Sequence, residues 1–399
     1  MLEYIAITTL LLLSGSIWGW YSPLVTIIHF ASIFVLTLKT IMNRSEPIFS
    51  KLNWGNWGIC CVVLLSFIVN IIMISKDNPL SSWGSLFVII GACIVASFIS
   101  RDSFIRKYVN VVFIIAALST FFWLLSRAGI VIGDRTIIPG NGESYRMNLF
   151  YIYRDSITEP GLNRRNFGIF WEGGAYQAFL NLGILFLARF KSTVYAFDKL
   201  YWAKIITLVA TVLTTFSTCG YFLLIIDFLV LVLANIQKKT GKRRTIILLV
   251  VIFAIFIINS PAVVNKFDPS SDSYISFLIR TNDYLNGFKA MLTSPYVGLG
   301  YNSRKYMDVL HSFGIYSNSA GLLITAQQFG IPFAVIYTIV QTIGFNKMYE
   351  MNHWILKVLG TLFLLLIFST ESLNQNGIFL LFLYAFEKKN AAENFEEKK

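Results

Sequence analysis

Long apolar runs, separated by short polar or helix-breaking stretches, recur along the whole chain. They cover residues 2–20, 23–41, 57–75, 84–100, 108–126, 168–188, 205–218, 220–236, 245–259, 319–345, 355–369 and 377–387. Most have the roughly 15 to 25 residues that a helix needs to cross about 30 Å of hydrocarbon. Three of the boundaries are splits within longer apolar stretches, at Ser22-Pro23, at Ser217 to Gly220 and at Thr370 to Gly377. The pattern predicts an all-α, polytopic integral membrane protein of about 12 transmembrane helices with two large extracytoplasmic loops. Helices 1–5 fall within 1–126, a first loop spans 127–167, and helices 6–9 fall within 168–259. A second loop spans 260–318, helices 10–12 fall within 319–387, and a cytoplasmic tail covers 388–399.

Composition strengthens this reading. Hydrophobic residues make up 56% of the 399 and charged ones 14%, and mean hydropathy is +0.64. A soluble core does not absorb that proportion of apolar side chains. The stretch Leu2 to Trp18 lacks a basic start and runs straight into a second apolar run, so it reads as a first span and not as a cleavable leader. Cys60, Cys61, Cys93 and Cys219 lie in or beside apolar runs and the long loops hold none, which argues against disulfides. With no CxxC or HExxH and only the scattered His29, His311 and His353, no metal and no cofactor is expected.

Charge sets the orientation. The formal net charge is +12, and 21 of the 33 Lys and Arg residues fall in the segments 39–52, 101–107, 189–204, 237–244, 346–357 and 388–399. Lys and Arg are retained on the cytoplasmic side of short loops, so these segments face inward and both termini are cytoplasmic. The run Lys238, Lys239, Lys242, Arg243, Arg244 reads as a cytoplasmic anchor, and nucleic acid is set aside as a partner.

The outward loops carry the candidate chemistry. Every basic residue of the first is arginine: Arg127, Arg135, Arg146, Arg154, Arg164 and Arg165. A planar guanidinium suits bidentate contact with phosphate or carboxylate, so the loop points to an anionic ligand, with ion pairs to Asp134, Glu143, Asp155 and Glu159 as the plainer alternative. Pro139-Gly140-Asn141-Gly142 predicts a turn, and with it a small β-hairpin. In the second loop, Ile275, Leu278, Leu285, Phe288 and Leu292 form one stripe of a helix over Ser273 to Ser294, with Arg280, Asp283 and Gly287 opposite. Such a helix could lie in the interface and hold Arg280 toward a cavity.

Ionisable groups at membrane depth are costly unless paired or hydrated. Glu172 lies where the first loop meets the sixth run. Continuing the helix back through the loop places Arg165, Glu172, Tyr176 and Phe179 on one face, with Gly173 and Gly174 leaving room for a ligand or another backbone. Asp227, roughly 10 Å along its run from Gly220 by helical rise, is expected to pair with a polar group on a neighbouring helix. His29 reads as a packing histidine, whereas His311, in the second loop, could act as a base.

The run Arg164 to Leu182, RRNFGIFWEGGAYQAFLNL, resembles the signature of bacterial polysaccharide-repeat polymerases of the Wzy type, which share a superfamily with the O-antigen ligases. Three segments fit the same pattern in order: Ser217 to Gly220, Ser294-Pro295-Tyr296-Val297-Gly298-Leu299-Gly300-Tyr301, and Asn318-Ser319 preceding Gly330-Ile331. The resemblance implies a helical protein of the bacterial plasma membrane with an outer loop over a cavity. It implies glycosyl transfer without metal or nucleotide sugar, from an undecaprenyl-pyrophosphate-linked oligosaccharide, with a chain-length regulator and a flippase as candidate partners. Under it, Glu172, Arg280 and His311 are the catalytic candidates, and Arg146, Arg154, Arg164, Arg165, Tyr176, Tyr301 and Asn318 the substrate-binding ones. The ligases resembled carry a histidine shortly before the second-loop glycine element. Ser317, Asn318 and Ser319 stand there instead, with His311 farther upstream, which favours polymerase over ligase. A lipid-linked sugar flippase is a third reading, weakened because the two halves of the chain show no repeat.

Overall fold

The computed structural model describes residues 1–42, 53–74, 80–130, 132, 135–137, 145–148, 150–154, 165–235, 248, 251–252, 254–255, 258–271, 274–316, 318–351 and 353–386. Helices dominate. Before the first loop they are α1 (Leu2–Leu13), α2 (Ile17–Tyr21), α3 (Pro23–Met42), α4 (Trp54–Val69, continued by a π-turn over Asn70–Ile74), α5 (Leu80–Phe98) and α6 (Arg101–Arg127). Between the loops come α7 (Gly173–Arg189), α8 (Tyr201–Thr214) and α9 (Thr218–Asn235). The second loop holds α10 (Pro261–Val264), α11 (Tyr274–Leu292) and α12 (Arg304–Ser312), and the chain continues through α13 (Gly321–Phe329), α14 (Ile331–Met348), α15 (Trp354–Thr370) and α16 (Gly377–Leu380). The run expected over 245–259, the basic run 238–244 and the tail 388–399 lie largely or wholly outside the described residues.

Pro23–Met42, Trp54–Ile74 and Arg101–Arg127 are long and apolar enough to cross a membrane, and Leu2–Leu13, Trp83–Phe98, Tyr201–Thr214, Thr218–Leu233 and Trp354–Thr370 are shorter apolar helices. The packing is that of a membrane protein. Leu24, Phe34, Val62, Leu65, Ile206 and Ile336 are exposed, while Gln177, Asn181, Thr325, Gln327, Gln341 and Asn374 are buried. A lipid-facing exterior needs no polar cover, so polar side chains gather where they can bond one another. The three split points are helix boundaries, at Ser22, at 215–217 and at 371–376.

Three expected spans are interrupted, and the last, 377–387, is helical only over α16 and a 3-10 turn at Leu381–Leu383 before the chain leaves helix at Tyr384. The first breaks at Ser14 to Ser16, where Ser14 and Ser16 turn their hydroxyls back onto Leu10 and Leu12 carbonyls and Ile17 N–H donates to Ile169 O at 3.0 Å. The run 319–345 breaks at Gly330, whose φ of +89° ends α13 before Pro332 can continue it. Freed backbone groups inside an apolar bundle must find partners. Here the stretch 295–301 supplies them: Leu299 N–H donates to Gln327 O at 2.7 Å, Gly300 N–H to Gln328 O at 3.1 Å, and Ile331 N–H to Pro295 O at 2.7 Å. The crossing is so close that a Cβ on Gly298 (φ +79°) would lie 2.3 Å from Gln328 O, and one on Gly330 would lie 2.3 Å from Tyr296 O. Asn70 on the π-turn completes the joint, its amide donating to Gln328 O at 3.0 Å while its oxygen accepts Tyr301 N–H. The Ser294–Tyr301 motif is thus the brace of a broken helix.

The first loop departs from an all-helical fold by a three-stranded antiparallel sheet, β1 (Arg135–Ile137), β2 (Tyr145–Asn148) and β3 (Tyr151–Arg154). The hairpin expected around Pro139 is present, although the turn itself lies outside the described residues. Ile17, Tyr145, Ile152 and Phe167 pack as a small core beneath the sheet, and Ile152 N–H donates to Gly168 O at 2.8 Å.

At the end opposite this sheet, Lys107 pairs with Glu3 at 2.6 Å, Arg101 with Glu350 at 2.6 Å, and Arg189 donates to Tyr349 O and Glu350 O. The C-terminal strap is fixed near there by Asn56, whose amide donates to Ala385 O at 2.8 Å and accepts Ala385 N–H at 2.7 Å. Asn56→Ala removes both of these bonds and leaves a gap where the buried Asn56 amide stood. The variant should lose about 1–3 kcal/mol of stability, read as a lower thermal unfolding midpoint in detergent.

Candidate functional site

The site starts from a clamped loop. Asn166 N–H donates to Thr214 O at 2.9 Å, its amide reaches Thr214 Oγ1, and its oxygen accepts Gly168 N–H. Phe170 bridges to Ser16 as an isolated β-pair. The chain therefore turns at Gly168 (φ +56°), where Phe170 N–H donates to Phe167 O, and is extended at Glu172, the residue before α7, so helix begins only at Gly173. The common helical face expected for Arg165, Glu172, Tyr176 and Phe179 does not form, because the upstream residues follow loop geometry. Arg165 sits beside the clamp, partly exposed, while Tyr176 and Phe179 are fully buried in packing with Phe170. The Tyr176 hydroxyl bonds Ser119 Oγ at 2.8 Å.

Glu172 is partly exposed and accepts Trp171 Nε1–H at 3.2 Å. The two glycines after it admit close neighbours. A Cβ on Gly173 would meet Thr215 O at 2.8 Å, and one on Gly174 would meet Glu371 Oε1 at 2.1 Å. Glu371, in the link that follows α15, thereby rests its carboxyl on the first turn of α7, where exposed N–H groups favour negative charge. Its own backbone carbonyl abuts Gly321, the first residue of α13, at 2.5 Å from an added Cβ.

Arg280 closes the cluster from α11. Asp283, Gly287, Ala290 and Met291 form the buried face of that helix, and Ile275, Leu278, Leu285, Phe288 and Leu292 are exposed. Arg280 thus reaches inward, as the periodicity implies. One guanidinium nitrogen donates to Ser319 Oγ at 3.0 Å and to Thr370 O, and the other meets Glu371 Oε1 at 3.4 Å. The Ser319 hydroxyl in turn donates to Asp283 Oδ2 at 3.2 Å, and Tyr284 donates to Ser369 O.

Electrostatics couple these groups. Burial pushes the Glu371 carboxyl well above the usual carboxylate range and the neighbouring Glu172 carboxyl, within hydrogen-bond reach, pushes it further, with Arg280 and Lys266 only partly offsetting them. Burial also raises Asp283. Lys266, just after α10, is pushed down to about 8 by burial, then by the like charges of Arg165 and Arg280. Three cations and three carboxyls therefore share one region, a geometry able to bind an anion and accept a proton.

The other sequence candidates lie apart from it. Tyr301 bonds Ser85 Oγ at 2.7 Å and packs on Phe67 and Phe329. Asn318 neighbours Ser319 but spends its amide on Gln327 Oε1 at 3.0 Å and its oxygen on Ala320 N–H. His311 is exposed on the last turn of α12 against Tyr316. Arg146 and Arg154 occupy β2 and β3, and Arg164 lies outside the described residues. His29 is buried against Thr9 Oγ1 at 2.8 Å. The polar partner expected for Asp227 is missing: both its carboxyl oxygens are buried without a hydrogen bond among the described residues. Glu371, Lys266 and Asp283 complete the cluster. The signal for Glu371 is an acidic residue directly after the apolar run of α15, in Ser-Thr-Glu-Ser.

No protein-family model matches the chain, and no curated protein matches it.

Gly174→Ala drives a methyl into the Glu371 carboxyl and should cost about 1–3 kcal/mol, lowering the unfolding midpoint in detergent. Gly183→Ala meets only side-chain methyl groups, of Leu208 at 3.3 Å and Val112 at 3.8 Å, and should leave that midpoint near the wild-type value.

Proposed function

We propose that the chain polymerises lipid-linked oligosaccharide repeat units at the outer face of a bacterial plasma membrane, spanning it about a dozen times with both termini inside. The observation that carries this reading is the inward-held Arg280, gathered with Lys266 and Arg165 beside Glu172 and Glu371. α7 begins in this cluster and ends at Arg189 in the basic end, and α15 runs the opposite way. Each has 17 residues, so the two ends stand about 25 Å apart along the helices. With the basic end cytoplasmic, the cluster faces outward.

No nucleotide-activated sugar is available there, so the donor must carry its own leaving group. A pyrophosphate on an isoprenoid tail meets that need: the tail stays in lipid, and Arg280 with Lys266 and Arg165 balances the charge that develops on departure. Arg146 and Arg164 belong, by sequence, to the same outer loop as Arg165 and are further candidates to hold the pyrophosphate. Glu172, exposed enough to be reached, takes the proton of the acceptor hydroxyl, and direct attack inverts the anomeric centre.

Purified protein given only lipid-linked repeat units should yield a ladder of longer lipid-linked glycans. Product that appears only with a second acceptor indicates a ligase, and no new glycosidic bond indicates a flippase. Glu172→Gln and Arg280→Ala should leave protein in the membrane and reduce polymer at least 100-fold, and normal chain lengths in both would refute their roles. Donor binding should weaken as pH rises through about 8, where Lys266 loses its charge. Lys266→Arg, which stays charged, should remove that loss in a binding titration.

A further inference from the structure

The break of the first span at Ser14 to Ser16 builds a seat for an aromatic ring. Gly15, at φ +125°, lies under the indole of Trp171, and a Cβ there would fall 1.7 Å from one ring carbon and 2.2 Å from the next. Glycine backbone in this left-handed conformation leaves the ring its place. On one side of the seat Ile17 N–H donates to Ile169 O at 3.0 Å, and Ser16 bridges to Phe170. On the other the Ser14 hydroxyl accepts Ile378 N–H at 2.8 Å, and the Asn376 amide donates to Ser14 O at 3.2 Å. Trp171 also packs on the small core of Ile17, Tyr145, Ile152 and Phe167 beneath the sheet of the first loop. Backbone and core together hold the ring, although part of it remains exposed.

The seated indole aims its N–H at Glu172. Nε1 donates to Oε1 at 3.2 Å, and it is the one N–H of the described residues that bonds that carboxyl. A partly exposed glutamate is free to turn about its side-chain torsions, whereas a base must stand within about 3 Å of the proton it removes. We propose that Trp171 is a positioning residue for Glu172: held in the break of the first span, its indole N–H fixes one carboxylate oxygen and leaves the other to meet the acceptor hydroxyl. An indole suits the task because its N–H only donates, so it aims the base without competing for the proton.

The role rests on the polymerase reading. There the acceptor oxygen attacks the anomeric carbon, and the bond from that carbon to the pyrophosphate oxygen breaks with its electron pair leaving on the pyrophosphate. The hydroxyl proton passes to the free oxygen of Glu172 and returns to water before the next cycle. Without the indole N–H the base is present but unaimed, so turnover falls while donor and acceptor still bind.

Two measurements on the full chain in detergent test this. In the glycan-ladder assay Trp171→Phe, which keeps an aromatic side chain but lacks the N–H, should lower kcat about 10-fold with KM within about 2-fold of wild type and the unfolding midpoint unchanged. Nitrogen-15 spectra of the indole groups read the contact without substrate: of the nine tryptophan N–H signals, the one that Trp171→Phe deletes should shift in Glu172→Ala. Wild-type kcat in Trp171→Phe, or a loss carried by KM, overturns the positioning role and leaves the polymerase reading standing. A wild type that makes no ladder removes that reading, and the indole signal still decides whether Trp171 holds Glu172. Should Trp171→Phe fail to accumulate, a Glu172→Ala spectrum in which none of the nine signals moves overturns the proposal, and movement of one supports it.

Discussion

Glu371 sits where three helix ends meet, its carboxyl against Gly174 at the start of α7 and Arg280, and its backbone carbonyl against Gly321 at the start of α13. A buried carboxyl without partners is costly, and here the start of α7 and Arg280 meet it, while the start of α13 packs on the same residue's backbone. Gly174 and Gly321 make the approach possible, and Arg280 seals it from the second loop. Loop and bundle are therefore one electrostatic unit.

The same rule governs the broken helix at Gly330. In water an interrupted helix hydrates its free peptide groups, but in an apolar bundle another segment must bond them. The stretch 295–301 and Asn70 do so, with glycine at both closest approaches. α13 is thereby held as a short helix whose first residue contacts Glu371 and whose preceding Ser319 contacts Arg280. Bracing a break thus places two parts of the site.

Much of the fold was legible because hydropathy is a local property. The helix boundaries at Ser22, 215–217 and 371–376, the inward turn of Arg280 on α11 and the hairpin of the first loop follow from spacing, turn residues and periodicity. Reading helix through Arg165 to Phe179 failed because the clamp on Asn166, made by the distant Thr214, outweighs local propensity.

From its order of residues alone, the chain determined where apolar helices form, which face of α11 is polar, and that charge collects at two kinds of segment. Only the tertiary structure decided that Glu371 joins Glu172 and Arg280, the latter 91 positions away in sequence, and that Tyr301 and His311 stand elsewhere. The physical reason is range. Hydrophobic periodicity acts over a few turns of one helix, whereas the pairing of buried charges depends on which helix ends the packing brings together.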